Sequence, residues 1–215
     1  MNSADLSLSH LLTSAWETFK RRPGIAIAMW LVYVFFESGG SGGSEDQGVF
    51  QSLILLALIL LSGPIHGGYD LAMLRLLRED DSVTFTDLFA GMEKFERLFL
   101  VFLVYAVAVM IGVILLVVPG VIIALGLWPA FLLVMEDDLG TVDALKGAWE
   151  LTLGYKGQLF VLALTTAALC LLGILALGFG LLVAGPVTQL AWITAYDEIR
   201  AAQIDSVEAG ARSLT

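Results

Sequence analysis

Two stretches of this 215-residue chain are apolar for about twice the length that a membrane-spanning helix needs. Leu98 to Met135 and Gly157 to Tyr196 contain no Asp, Glu, Lys or Arg. Because ~20 helical residues cross a bilayer core about 30 Å thick, each stretch must fold back as a hairpin of two helices. Pro23 to Phe36 and Gln47 to Tyr69 are shorter uncharged stretches that predict one span each. The sequence therefore predicts an all-α integral membrane protein with six transmembrane helices.

The composition excludes several classes of protein. The chain is 58% hydrophobic, which is more apolar surface than a soluble domain of this size can bury. Its net charge of −10 argues against a nucleic-acid partner, and a single cysteine, Cys170, allows no intrachain disulfide. The connectors are too short for a separate catalytic domain, and no phosphate-loop, zinc-protease or nucleophile-elbow motif occurs. We predict a non-enzymatic protein without catalytic residues, metal or cofactor.

The basic residues predict the orientation of the chain. All eleven lie before the first span, after the last, or in the connectors that follow spans 2 and 4. They are Lys20, Arg21, Arg22, Arg75, Arg78, Lys94, Arg97, Lys146, Lys156, Arg200 and Arg212. Because Lys and Arg near span ends stay on the cytoplasmic side, we expect cytoplasmic termini, including a tail at 201–215, and three external hairpin tips. We place the protein in a prokaryotic cytoplasmic (inner) membrane.

Glycine and proline mark the expected reversals of the chain. Pro119-Gly120 should break the first long stretch and Gly173 to Gly180 the second, because proline lacks an amide donor and glycine accepts the angles of a turn. Residues 38–48, rich in Gly and Ser, predict a flexible external loop, whether natural or an engineered linker.

An amphipathic helix is predicted before each pair of spans, because apolar residues recur there at three- and four-residue steps. The three stripes are Leu8, Leu11, Leu12, Ala15, Trp16 and Phe19; Phe85, Leu88, Phe89, Met92, Phe95 and Phe99; and Val142, Leu145, Trp149, Thr152 and Leu153. The expected N-terminal caps are Ser7, Thr84 with Asp87, and Thr141. Such helices either lie flat among lipid headgroups or pack on the protein's own spans, and the sequence leaves both open.

The three helix-plus-hairpin units read as copies of one another, over residues 5–78, 82–138 and 141–200. Ala15-Trp16-Glu17 in the first unit matches Ala148-Trp149-Glu150 in the third. Each closing span carries a proline that is expected to kink it: Pro64, Pro129 and Pro186. Since each unit starts and ends on one side of the membrane, the copies must be parallel repeats.

One part of the chain resembles a known family. Val118-Pro119-Gly120-Val121-Ile122-Ile123-Ala124-Leu125 is followed by Ala130-Phe131-Leu132-Leu133-Val134 and by Asp143-Ala144-Leu145-Lys146-Gly147-Ala148-Trp149-Glu150-Leu151-Thr152. This region is similar to YciC-like bacterial membrane proteins, which are related to the membrane domains fused to some glycerophosphodiester phosphodiesterases. The resemblance covers mainly Val118 to Gly154. It implies a membrane fold and no activity of its own, because the hydrolase chemistry of such fusions belongs to the other domain.

Candidate binding residues cluster at the cytoplasmic ends of the closing spans. His66 and Asp70 are one helical turn apart and share a face, so the pair is either a functional ionisable site within the membrane or a charged pair at the interface. Gln189 could bond across helices or line a pore. Tyr69, Tyr196 and Asp197 complete the set, although tyrosines at such positions are more often interfacial anchors than ligand contacts.

From these observations we predict a protein that binds or moves a small molecule, ion or lipid through a cytoplasm-facing crevice between the closing spans. The alternative is a non-transporting structural or regulatory partner of other membrane proteins. The expected partners are the lipid bilayer, a lipid or small-molecule ligand, and either a second copy of the chain or another membrane protein.

Overall fold

The computed structural model describes residues 6–38, 49–176 and 178–212, and within these ranges the chain is helical without any strand. The helices are α1 (Leu8–Arg21), α2 (Pro23–Ser38), α3 (Val49–Leu77), a 3₁₀ helix (Phe85–Lys94), α4 (Phe95–Leu115), α5 (Val117–Leu127), α6 (Ala130–Asp137), α7 (Thr141–Leu151), α8 (Lys156–Leu175) and α9 (Leu181–Arg212). The predicted external loop lies outside the described residues from position 39 to 48.

Four segments within the described ranges are long and apolar enough to cross a membrane. They are Ser52–Leu77, Phe85–Leu115, Val117–Asp137 and Lys156–Leu175. Helix α2 is apolar but shorter. Helix α9 is long, but Gly, Pro, Thr and Gln interrupt its apolar residues. The chain thus has the character of a membrane protein, with fewer clear spans than the six predicted.

Exposed apolar side chains form a belt around the outer parts of the hairpins. Ile114 at the tip of α4 and Phe179 before α9 each expose 76% of their surface, and Leu175 exposes 71%. A water-soluble protein rarely leaves so many large apolar side chains uncovered. Lipid is the solvent that this surface fits.

The first hairpin turns earlier than the sequence predicted. Helix α4 ends at Leu115, Leu116 is extended with φ −169°, and α5 starts at Val117. Pro119 therefore lies in the first turn of α5, where amide groups have no helical acceptor and a missing N–H costs nothing. Gly120 serves contact rather than reversal, since it faces Gly112 across the hairpin. The second hairpin reverses between α8 and α9, inside the predicted glycine-rich stretch.

The three amphipathic segments are helical and use their apolar stripes in two ways. In α1, Leu11 and Phe19 are buried while Trp16 is 43% exposed. In the 3₁₀ helix, Leu88 is buried while Phe89 stays exposed. In each of these two segments one edge of the apolar stripe therefore packs on the protein, as one of the two interpretations predicts, and the other edge is exposed.

The N-terminal cap of the 3₁₀ helix is the one that the sequence predicted, whereas the cap of α7 is a different residue. Thr84 and Asp87 form a capping box at the start of the 3₁₀ helix. Gly140, rather than the expected Thr141, is the N-cap of α7. The Thr141 hydroxyl instead donates to the carbonyl of Arg97 at 3.3 Å and ties α7 to α4.

Each amphipathic segment packs against a helix that closes one of the predicted units. The 3₁₀ helix lies on α3, α7 lies on α6, and α1 lies on α9. Helix α3 also contacts both α6 and α9. The core lies where these closing helices meet, and its fully buried residues include Met73, Leu88, Leu132 and Leu190.

Glycines allow the closest of these contacts. A Cβ atom on Gly68 of α3 would collide with the backbone carbonyl of Leu88, and one on Gly91 of the 3₁₀ helix would collide with the carbonyl of Pro64. Because backbone faces backbone at both points, neither side can yield by a rotamer change. These two glycines set the distance between α3 and the 3₁₀ helix.

We expect Gly68→Ala to lower the thermal stability of the purified protein, since the added methyl must push the 3₁₀ helix away and such overpacking costs roughly 1–3 kcal/mol. Gly157→Ala is the matched control, because nothing lies within 4 Å of a Cβ atom there. Unfolding temperatures measured in one detergent compare the two. Equal temperatures would show that the α3 contact is looser than described.

Candidate functional site

Helices α3 and α9 run parallel in a fixed register. Gln189 donates from Nε2 to Oδ1 of Asp70 at 2.5 Å, and Arg78 donates from Nη2 to Oδ1 of Asp197 at 2.7 Å. Both pairs are separated by 119 residues in sequence. The two contacts lie eight residues apart on each helix, or about 12 Å at the helical rise. The same two helices are thus joined at two levels.

Asp70 carries the deeper of these contacts and is nearly inaccessible, with 1% of its side chain exposed. His66, one turn earlier, places Nε2 at 3.4 Å from the other carboxylate oxygen. The expected pairing of His66 with Asp70 on one helix face is therefore present, and Gln189 joins it from α9. A buried ionisable group is costly within a membrane protein, and such groups are retained mainly for function.

These three side chains line a cavity of about 260 Å³. The remaining walls are Tyr105 of α4, Ala124, Leu125 and Trp128 of α5 and the turn after it, and Trp192 of α9. The rings of Trp128 and Trp192 meet edge to face with centroids 5.2 Å apart. The indole Nε1 of Trp128 is buried and has no hydrogen-bond partner among the described residues. The cavity thus combines one carboxylate with aromatic surface.

A larger depression of about 390 Å³ lies between α4 and α7. Its lining includes Val104, Val142 and Trp149, and its charged residues Lys146 and Glu150 are exposed. No buried ionisable group lies in it. We take the smaller cavity as the candidate site because it contains the buried carboxylate.

Helix α2 adds two residues to the site that the sequence reasoning missed. Tyr33 places its hydroxyl 3.3 Å from His66 Nδ1, and Glu37 lies 3.9 Å from the same nitrogen. Tyr33 also stacks on Tyr69, with ring centroids 4.6 Å apart. Tyr69 is fully buried behind the cavity and does not line it. Helical periodicity cannot reveal such contacts, because they depend on how α2 crosses α3.

Tyr196 and Asp197, which the sequence grouped with His66 and Asp70, lie in a separate ion-pair cluster. Tyr196 donates its hydroxyl proton to Glu136 at 2.8 Å and accepts from Arg200 at 2.6 Å. Arg78 bonds both Glu136 and Asp197. The match between Tyr69-Asp70 and Tyr196-Asp197 is therefore not a structural equivalence, because the parallel register aligns Asp70 with Gln189.

This cluster ties the ends of α3, α6 and α9 together. Arg200 also pairs with Asp137, so two arginines and three carboxylates meet around Tyr196. Partial burial lowers the pKa of Arg78, but its hydrogen bonds to Glu136 and Asp197 outweigh that effect and raise the pKa above its ordinary value. Arg78 therefore stays protonated and positively charged.

A third set of polar contacts joins the start of α4, and Lys94 just before it, to the end of α6 and the turn that follows. Lys94 donates to the carbonyl oxygens of Val134 and Met135, and both Lys94 and Arg97 pair with Asp138. The hydrogen bond from Lys94, and then the charges of Arg97 and Lys94, hold the pKa of Asp138 below its usual range. Within the described ranges, no three His, Cys, Asp or Glu side chains form a group that could hold a metal ion.

None of the three predicted kink prolines lines the cavity. Pro64 and Pro186 lie inside α3 and α9, and Pro129 separates α5 from α6. Each is close in sequence to a lining residue, namely His66, Trp128 or Gln189. The prolines therefore belong to the helices that form the site but do not contact its interior.

Comparison with known proteins gives one match. Residues 100–203 match the model of a family described as "Protein of unknown function (DUF975)". No curated protein and no solved structure is similar enough to the chain to count as a match. The matched region contains Tyr105, Trp128, Gln189 and Trp192 but not His66 or Asp70. The family description assigns no activity to these residues.

We expect Gln189→Leu to destabilise the protein by about 1–3 kcal/mol, because it removes the donor to Asp70 and leaves a buried carboxylate oxygen unpaired. Gln203→Leu, on the exposed face of the same helix, is the control and should have little effect. Thermal unfolding in detergent measures both. If the two variants unfold alike, the hydrogen bond between α3 and α9 does not stabilise the fold.

Proposed function

We propose that this protein is a non-enzymatic membrane protein that binds or moves a small solute through the cavity between α3, α5 and α9. The observation that carries the proposal is the burial of Asp70 beside a cavity of about 260 Å³. The hydrogen bond from Gln189 accounts for one oxygen of this carboxylate as a contact between helices, but it does not account for the cavity beside it. Because Asp70 lies in the wall of this cavity, a solute that enters can approach the carboxylate with a small movement of the lining.

The packing of the closing helices supports a threefold parallel repeat around this site. In each predicted unit a short amphipathic helix precedes two apolar segments. Each amphipathic helix packs on the closing helix of the unit before it, and α1 completes the circle by packing on α9. An arrangement of this kind leaves the closing helices in the centre, where a path for a solute would run.

A six-span topology with cytoplasmic termini is part of the proposal. Helices α2 and α9 would complete the four longer spans, with α2 accommodated by local thinning of the bilayer. The ion-pair cluster of Arg78, Glu136, Asp197 and Arg200 would then face the cytoplasm, as the distribution of basic residues favours.

A role as a structural or regulatory partner explains less of the molecule. The exposed apolar edges of the amphipathic helices, including Trp16 and Phe89, fit a partner protein as well as they fit lipid. Such a role accounts for the hydrogen bond between Asp70 and Gln189 but gives no reason for a cavity lined by tryptophan rings beside it. Solute binding accounts for both features.

Filling the cavity should abolish solute binding. We expect Ala124→Phe to place a ring in the cavity, whereas Ala201→Phe on the exposed end of α9 should have no effect. Quenching of tryptophan fluorescence in detergent, with a panel of amines, carboxylates, sugars and lysolipids, measures binding because two tryptophans line the site. The proposal fails if no solute binds the wild-type protein or if Ala124→Phe binds equally well.

The topology is tested with single cysteines in a Cys170→Ala background. We expect a membrane-impermeant thiol reagent added to intact cells to label Leu116→Cys at the tip of the first hairpin, because that tip should be external. Ala201→Cys should be labelled only after the cells are permeabilised. Labelling of Ala201→Cys in intact cells would contradict the proposed orientation.

A further inference from the structure

The cavity carries a chemical signature beyond its size. We infer that its ligand is a small substituted ammonium group, held by the Asp70 carboxylate against the rings of Trp128, Trp192 and Tyr105. This inference rests on the solute-binding function proposed above and names the class of solute. It is carried by the charge, the aromatic content and the small number of oxygen atoms in the lining.

The charge of the lining disfavours an anion. Asp70 is its one acidic residue, and no Lys or Arg is among its lining residues. Arg78, on the same helix as Asp70, is already paired with Glu136 and Asp197 at the level of the ion-pair cluster. With His66 neutral the lining bears one negative charge, and with His66 protonated it bears none. In neither state does it offer an anion a net positive partner.

The oxygen supply of the lining disfavours a bare metal cation. Hard cations such as Ca²⁺ and Mg²⁺ take six or more oxygen ligands. Here one carboxylate oxygen of Asp70 already accepts the hydrogen bond from Gln189, and the other lining side chains add only the hydroxyl of Tyr105 and the amide oxygen of Gln189. Most of the remaining wall is carbon. An ammonium group with carbon substituents needs less coordination and gains from apolar contact.

The aromatic walls favour an organic cation. A cation within about 6 Å of an aromatic face is attracted by the ring quadrupole, most strongly for tryptophan, and quaternary ammonium ligands are commonly bound in this way. Trp128 and Trp192, which pack edge to face, both line the cavity together with Asp70.

The protonation state of His66 should make the affinity for an ammonium ligand depend on pH. The groups that face it are Asp70 on its own helix, Tyr33 and Glu37 from α2, Phe131 from α6, and Tyr105 across the cavity. A protonated His66 neutralises Asp70 and repels a cation, so ligand and proton compete. Affinity should therefore rise from acidic to neutral pH, and this rise should be smaller in His66→Gln.

The test compares two probes of the same shape in the purified full-length protein in maltoside micelles. Choline carries a quaternary nitrogen, and 3,3-dimethylbutan-1-ol replaces that nitrogen by carbon. Isothermal titration should show choline binding at least about tenfold more tightly than the alcohol. Asp70→Asn should abolish that preference, and Asp70→Glu, which keeps the charge, should retain part of it.

One further probe and two further outcomes decide between the possible explanations. Lysophosphatidylcholine in place of choline shows whether the ammonium group comes from a lipid headgroup or from a free solute. If the neutral alcohol binds as tightly as choline, and Ala124→Phe removes that binding, the cavity binds solutes but the ammonium class is wrong. If choline does not bind the wild-type protein, the inference is likewise overturned, whether or not Asp70→Asn folds.

Discussion

The parallel pairing of α3 with α9 is the constraint on which the rest of the molecule depends. Two polar contacts, Asp70 with Gln189 and Arg78 with Asp197, fix both the spacing and the register of these helices. In lipid there is no hydrophobic force to press helices together, so close packing and polar contacts between them must supply the specificity. A slip of one turn would separate both pairs at once and leave a buried carboxylate without its donor.

Much of the local structure follows from periodicity, which is a property of single helices. The amphipathic segments, the two hairpins and the shared face of His66 and Asp70 all depend on residues close in sequence, and the structure contains each of them. The turn at Leu116 was missed because proline was read as a breaker, although the first turn of a helix tolerates it well. The sequence pattern of a single helix cannot show whether a proline ends that helix or lies in the first turn of the next one.

The tertiary part of the site was less accessible to sequence reasoning. Glu37 and Tyr33 reach His66 only because α2 lies against α3. The Tyr-Asp pairs at 69 and 196 look like repeats but lie at different levels of the molecule, since the register is set by side chains on opposing helices. No such register can be read from one helix alone, and a two-residue match is too short to establish it.

Trp128 connects the cavity to the ion-pair cluster. Its ring meets Trp192 inside the site and Tyr196 beyond it, with centroids 5.2 and 6.4 Å away. Tyr196 in turn bonds Glu136 and Arg200, which hold the ends of α6 and α9. Trp128 therefore contacts both the wall of the cavity and the aromatic residue at the centre of the ion-pair cluster. Because aromatic rings in a densely packed interior have little room to move independently, the position of Trp128 depends on both the helix pair that forms the cavity and the ion pairs that hold the ends of α6 and α9 together.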